Sequence, residues 1–187
     1  MTDRVSRVRT SFATLATLAT LSVSLASAQQ KTPYAGQEDR PIKALSDSEI
    51  MGYLNGEGMG YAKAAELNRF PGPRHVLDLA DSLGLTEPQK NRVRAIYDSM
   101  HVHAVTLGSQ IVAREAVLDS LFSTGAIDDG RLRSLVAEVA RLQGELRATH
   151  LGAHLAVTRL LAPEQIRAYE RLRGYEHGSH EGHQRGG

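Results

Sequence analysis

The sequence has no cysteine and no tryptophan, only three phenylalanines and six tyrosines, and almost no excess of either charge: 22 Lys and Arg against 21 Asp and Glu in 187 residues. Each shortage excludes a chemistry. Without cysteine there are no disulfides, thiolate zinc sites, cysteine nucleophiles or cysteine-ligated iron–sulfur clusters. Balanced charge argues against a general nucleic-acid binder, which meets phosphate with a basic excess. So few aromatics do not make an aromatic-rich ligand pocket. No segment alternates apolar and polar residues in the manner of a strand. There is no P-loop, no G-x-S-x-G elbow and no H-E-x-x-H. The run Gly56-Glu57-Gly58-Met59-Gly60 lacks a preceding strand and a following Lys-Ser/Thr, and reads as a turn. Nothing here points to an enzyme.

What is present begins with an export signal. Residues 1–28 open with Arg4, Arg7 and Arg9, continue as a mildly apolar Ala/Leu/Thr run and end in Ala26-Ser27-Ala28. This is the layout of a cleavable secretory signal. The apolar run is short and diluted by Thr and Ser, which disfavours a membrane anchor, and no other stretch is long and apolar enough to span a bilayer. Removing three Arg and one Asp with the signal leaves 19 basic and 20 acidic residues. An exported chain without cysteine fits a bacterial periplasm, where it needs no oxidative folding.

The remainder is predicted to be all-α, a long antiparallel helical hairpin with short flanking helices. An extended N-terminal segment with short helices covers 29–73. Ser46 caps a helix to about Leu54, with Glu49 three residues on. Met59 to Leu67 reads as a second short helix ended by Pro71-Gly72-Pro73, and His75 to Leu83 as a third stopped by Gly84. The hairpin domain occupies 74–174. Its first rod opens at the capping box Thr86-Glu87-Pro88-Gln89 and runs to about Phe122. Positions 93, 97, 100, 104, 107, 111, 114, 118 and 121 are apolar except Arg114, a heptad-like seam. After a break at Gly125 and an Asp cap, a second seam steps from Leu132 to Leu160. A shorter helix follows from Pro163 to about Gly174. Residues 175–187, rich in Gly and His, read as a disordered tail.

The paired sequences Leu85-Thr86-Glu87-Pro88-Gln89 and Leu161-Ala162-Pro163-Glu164-Gln165 resemble the LTxxQ motif repeated in the Spy/CpxP family of periplasmic helical proteins. The stretch 147–165 looks especially like that family's heavy-metal resistance and sensor branch, the ZraP- and CnrX-like proteins. The second copy departs from the motif: Ala162 stands where the hydroxyl cap would be. The resemblance covers roughly 74–173. It implies a small exported all-helical protein, often a cradle-shaped dimer. Such proteins bind stress-unfolded clients, bind divalent metals, or modulate an envelope-stress sensor.

A metal constellation follows from spacing. His150 and His154, four apart on one helix, lie one above the other. Facing residues of the hairpin are equidistant from about residue 126, which sets His101 opposite 151 and Asp98 opposite His154. Heptad register places Asp98, His101, His150 and His154 on one edge. Three imidazoles and a carboxylate suit Zn, Ni, Co or Cu rather than Mg or Ca. The tail adds His177, His180 and His183, which could chelate the same ions. His103 falls on the other flank, and His75, after Pro73-Arg74, is expected to cap or pack.

Client binding is the rival reading. Beyond the signal the chain has 15 Arg and only 4 Lys. Arg92, Arg114, Arg141, Arg147, Arg159 and Arg167 could lie along apolar client surface. Their plain alternative is helix solvation, with Glu138–Arg141 and Glu170–Arg173 as pairs three apart. Two long rods with only short helices beside them leave faces uncovered, so a homodimer is expected.

Overall fold

The computed structural model describes residues 32–175, and every helix in it belongs to the unit that begins at Gly36. Residues 1–28, read from sequence as an export signal, and the tail residues His177, His180 and His183 lie outside the described residues. Six helices run in order: α1 Asp47–Leu54, α2 Lys63–Glu66, α3 Pro73–Asp78, α4 Glu87–Ser123, α5 Asp129–Thr158 and α6 Pro163–Leu172. No strand occurs among the described residues. No helix among them is long and apolar enough to cross a membrane.

The hairpin is α4 and α5. At 1.5 Å per residue the 37 residues of α4 span about 55 Å. Phe122 to Asp128 turn the chain: Gly125 adopts a φ of 66°, and the Asp128 side chain accepts from the Arg131 N–H at 2.8 Å. Every seam position on α5 is buried or half-buried, and on α4 all but Arg114 are. Arg114 instead reaches across the hairpin to Glu138 at 2.9 Å, and these two residues are equidistant from 126. The register read from the apolar stripes is therefore the register of the fold.

Two apolar cores lie along the rods. One gathers Ile42, Leu45, Tyr53, Ala104, Ile111, Leu142 and Leu146. The other gathers Val76, Leu83, Leu85, Val93, Val157, Leu161 and Tyr169. Removing a large aliphatic side chain from water contributes about 1.5–3 kcal/mol, so these layers dominate stability. Helix α1 crosses α4 at Gly108, where any Cβ would collide with the Tyr53 carbonyl. Only glycine allows backbone to approach backbone this closely.

The two motif copies meet at the open end of the hairpin. Thr86 Oγ1 accepts from the Gln89 N–H, and Gln89 Oε1 accepts from the Thr86 N–H at 3.0 Å. At α6 only half of this box forms: Gln165 Oε1 accepts from the Ala162 N–H at 2.9 Å, and the methyl of Ala162 returns nothing. The two glutamine amides then bond to each other at 3.0 and 3.2 Å. Gln89 also donates to the Leu160 carbonyl at 2.9 Å. The motif thus closes each helix start and ties α6 to the hairpin.

Two short helices and two ion pairs differ from expectation. The helix expected over 59–67 is reduced to Lys63–Glu66, because Met59 and Gly60 take φ of 41° and 81°, a left-handed path that no helix continues. The helix expected from His75 to Leu83 starts two residues earlier, with Pro73 in its first turn, and ends at Asp78. The expected pairs Glu138–Arg141 and Glu170–Arg173 are replaced. Arg141 pairs with Glu145 at 2.7 Å, and Glu170 with Arg69 at 2.8 Å. A carboxylate a full turn on and a guanidinium from across the fold outcompete the local partners.

Candidate metal site: a cavity lined by histidines

Between the two cores the seam turns polar. Along α5, His150 and His154 follow Leu146 and precede Val157; along α4, His101 falls between Val93 and Ala104. His101, His150 and His154 line one cavity of about 200 Å³. Tyr97, Met100, Ala62, the turn 55–58 and the segment 72–75 complete its wall, and the last brings His75 as a fourth imidazole. Three of the four hairpin residues singled out by spacing therefore share one chamber. Asp98 does not: it is exposed and takes no part in the lining. The register argument fails there: the α4 wall of the cavity is Tyr97, Met100 and His101, and Asp98 stays in solvent.

Each imidazole is held differently. The His154 ring is 8% exposed as a residue, and its Nδ1 donates to the Phe70 carbonyl at 2.7 Å. A carbonyl only accepts, so the proton sits on Nδ1 and the Nε2 lone pair of the neutral ring is free. The ring packs on Gly72, where a Cβ would stand 2.8 Å from Cε1. Beneath it the Glu66 carboxylate lies 3.8 Å from Nδ1 and accepts from the Tyr169 hydroxyl at 2.5 Å. Burial first, and then this carboxylate, push the Tyr169 hydroxyl well above the usual phenol range. Arg173 approaches Glu66 at 3.4 Å, within ion-pair range but too poorly aligned for a hydrogen bond.

His101 donates from Nε2 to the Asn55 carbonyl at 3.0 Å and stacks on Tyr97, ring centres 5.7 Å apart. His150 is 4% exposed, and its Nε2 is buried with no hydrogen-bond partner. Burial, and secondarily the neighbouring His154, push His150 below the ordinary histidine pKa of 6.5. Burial and then Arg173 do the same for His75. Both rings are thereby favoured in the neutral, lone-pair-bearing form. His103 lies outside this cavity, and its Nδ1 donates to the Ser99 carbonyl at 2.8 Å.

The cavity can offer nitrogen lone pairs to a ligand. Among the described residues no three His, Asp or Glu side chains converge tightly enough to hold an ion in this arrangement. Sequence reasoning missed Gly72, His75 and Glu66. Pro71-Gly72-Pro73 signals a break but not that the break carries a glycine onto an imidazole. Nothing local marks Glu66, whose partners His154 and Tyr169 are 88 and 103 positions away.

No protein-family model, curated protein or solved structure matches the chain.

Proposed function

We propose that this chain is a periplasmic, Spy/CpxP-like helical-hairpin protein that captures a divalent transition metal, Zn, Ni, Co or Cu, in the cavity of His101, His150 and His154, in the service of heavy-metal resistance or sensing. The observation that carries the reading is the buried Nε2 of His150. Leaving such a group unpartnered costs about 1–3 kcal/mol, and a bound ion would supply the missing partner. The donor chemistry fits borderline ions: neutral imidazoles, one with its tautomer fixed by a backbone carbonyl and a carboxylate behind it, as metal-ligating histidines usually are. His150 and His154 would hold the ion from one helix. His101, the least buried of the three and tied by one hydrogen bond, would turn to join them. Glu66 would offset the positive charge drawn onto His154.

Calorimetric titration of the full chain carrying His177→Ala, His180→Ala and His183→Ala isolates this cavity from the tail. One site for at least one of Zn, Ni, Co and Cu is expected, weakening below about pH 6 as the rings protonate. Adding His101→Ala and His150→Ala should cut affinity by about 100-fold or more, since losing even an outer partner of a ligand costs 10–100-fold. Unchanged binding in a variant with unaltered circular dichroism would remove the cavity from the reading.

A second reading, an ATP-independent chaperone or a modulator of an envelope sensor, is favoured by a different feature. Val102, Val117, Phe122, Val136 and Leu155 are large apolar side chains exposed along the hairpin. They could meet an unfolded client or the partner copy of a homodimer. Suppression of client aggregation at substoichiometric protein, without metal, is its test; no suppression at excess protein would dismiss it.

A further inference from the structure

A second, more polar cleft of about 390 Å³ adjoins the imidazole cavity and shares Asn55, Glu57, Arg74, Tyr97 and His101 with it. Arg94 and Asp78 belong to its other wall. Arg74 comes from the first turn of α3 and Arg94 from α4. Neither guanidinium forms a hydrogen bond or ion pair among the described residues, although two carboxylates line the same cleft. Asp78 is 3.8 Å from His75 instead. Soft nitrogen donors with one orphaned, buried Nε2 thus lie next to two unengaged guanidinium groups.

A divalent ion on two or three neutral imidazoles keeps its whole charge and has coordination positions left over. Asp98 does not reach it; Glu66 lies 3.8 Å behind His154 Nδ1 and is already engaged by Tyr169 and Arg173, and Glu57, the one carboxylate in the cavity lining, does not close a set of three ligands with the rings. In a part-buried site that charge is costly unless an anion accompanies it. Arginine pairs are suited to hold such an anion, because the planar fork matches a carboxylate. Glu57 and Asp78 limit how much negative charge the cleft tolerates, which disfavours a tricarboxylate. A single carboxylate that carries a second donor for the metal fits both constraints.

We infer that the site takes its metal as a complex with a small monocarboxylate chelator of the α-amino-acid class, the metal on the imidazoles and the outer carboxylate oxygen on Arg74 and Arg94. The inference rests on the metal reading, and deepens it by naming the form in which the ion arrives.

The test uses Ni²⁺ and glycine on the full chain with the three tail histidines substituted. Glycine competes for Ni²⁺ in solution, so a protein that takes only the free ion loses apparent affinity by the factor that competition sets. The inference expects affinity at least about tenfold tighter than that factor allows, the scale of one good charge-assisted contact. Arg74→Ala with Arg94→Ala should abolish the gain and leave glycine-free Ni²⁺ affinity within about twofold. Citrate should give no gain. Affinity that falls by the full competition factor, a gain that survives in the double variant, or an equal gain with citrate would each overturn the inference. Ni²⁺ binding without a glycine gain removes this inference alone; no Ni²⁺ binding under either condition removes the inference as well, and the metal reading falls with it only if Zn, Co and Cu are also refused.

Discussion

On either side of one helical turn, α5 buries Leu142 and Leu146 in one core and Val157 in the other, all against apolar neighbours. At His150 the same face buries an imidazole whose Nε2 has no partner. The helix, the register and the degree of burial are shared; the chemistry is not. In the apolar layers each buried atom lowers the free energy of folding. In the histidine layer burial raises it, because a polar group has left water for nothing. Stability alone would favour Leu at 150, so the layer makes sense as a place kept open for a ligand.

That contrast can be broken by substitution, and the largest effect belongs to the apolar layer. Leu146→Ala should cost about 3 kcal/mol, the usual range for emptying a buried aliphatic site. Urea denaturation measures it, and a loss under about 1 kcal/mol would mean that the core near Leu146 is loosely packed. Next comes Gly108→Ala. Its methyl would meet the Tyr53 carbonyl, and since backbone cannot step aside as a side chain does, α1 must lift from α4. About 2 kcal/mol is expected, with the tyrosine fluorescence changing in parallel; an unchanged urea midpoint would place α1 elsewhere in solution.

The histidine layer should respond with the opposite sign. His150→Leu removes the orphaned nitrogen and is expected to stabilise the metal-free protein by about 1 kcal/mol while abolishing metal capture. The pH dependence follows the same logic. Because burial holds the folded-state pKa of His150 below its unfolded value of 6.5, the unfolded chain takes the proton first. The stability due to the neutral ring is complete above that value and is lost as pH falls toward the folded pKa. His150→Leu should flatten this acid-side decline in a series of melts from pH 7.5 to 5. A variant that is both less stable and equally acid-sensitive would show that the ring is ordinary core.

The long elements were legible because their signals are local and repeated. Nine positions on each rod carry the seam, the Thr86-Gln89 box marks a start, and Gly125 marks the turn. That His101, His150 and His154 line one cavity followed from that register, whereas Asp98, placed by the same register, stays outside it. The short elements were less legible, since four to eight residues give too few periods for a pattern to outweigh a left-handed Met59 or a Pro at 73. The covering residues were not legible at all. His75 and Gly72 reach the cavity because the segment before the hairpin folds back over it, and Glu66 finds Tyr169 and His154 only in three dimensions. Ion pairs failed for the same reason: Glu138 is three residues from Arg141 but opposite Arg114.

The smallest effect separates the two motif copies, and it asks whether a missing hydroxyl is all that separates them. The caps have nearly the same backbone, φ −69° and ψ 155° at Thr86 against φ −70° and ψ 153° at Ala162. An oxygen placed at 162 would therefore point at the Gln165 N–H with no rearrangement, and Ala162 is exposed, so the added atoms displace only water. Ala162→Thr should stabilise by about 0.5 kcal/mol, toward the low end for such caps, because an exposed N–H is otherwise hydrated. Thr86→Ala should cost a similar amount. The two changes need not cancel when combined: Gln89 and Gln165 bond each other, so loosening one box disturbs the other. A urea midpoint that moves upward for Ala162→Thr, and a double variant that departs from the sum of its parts, would show that the boxes work as one clasp. Strict additivity would show two separate helix starts that merely touch.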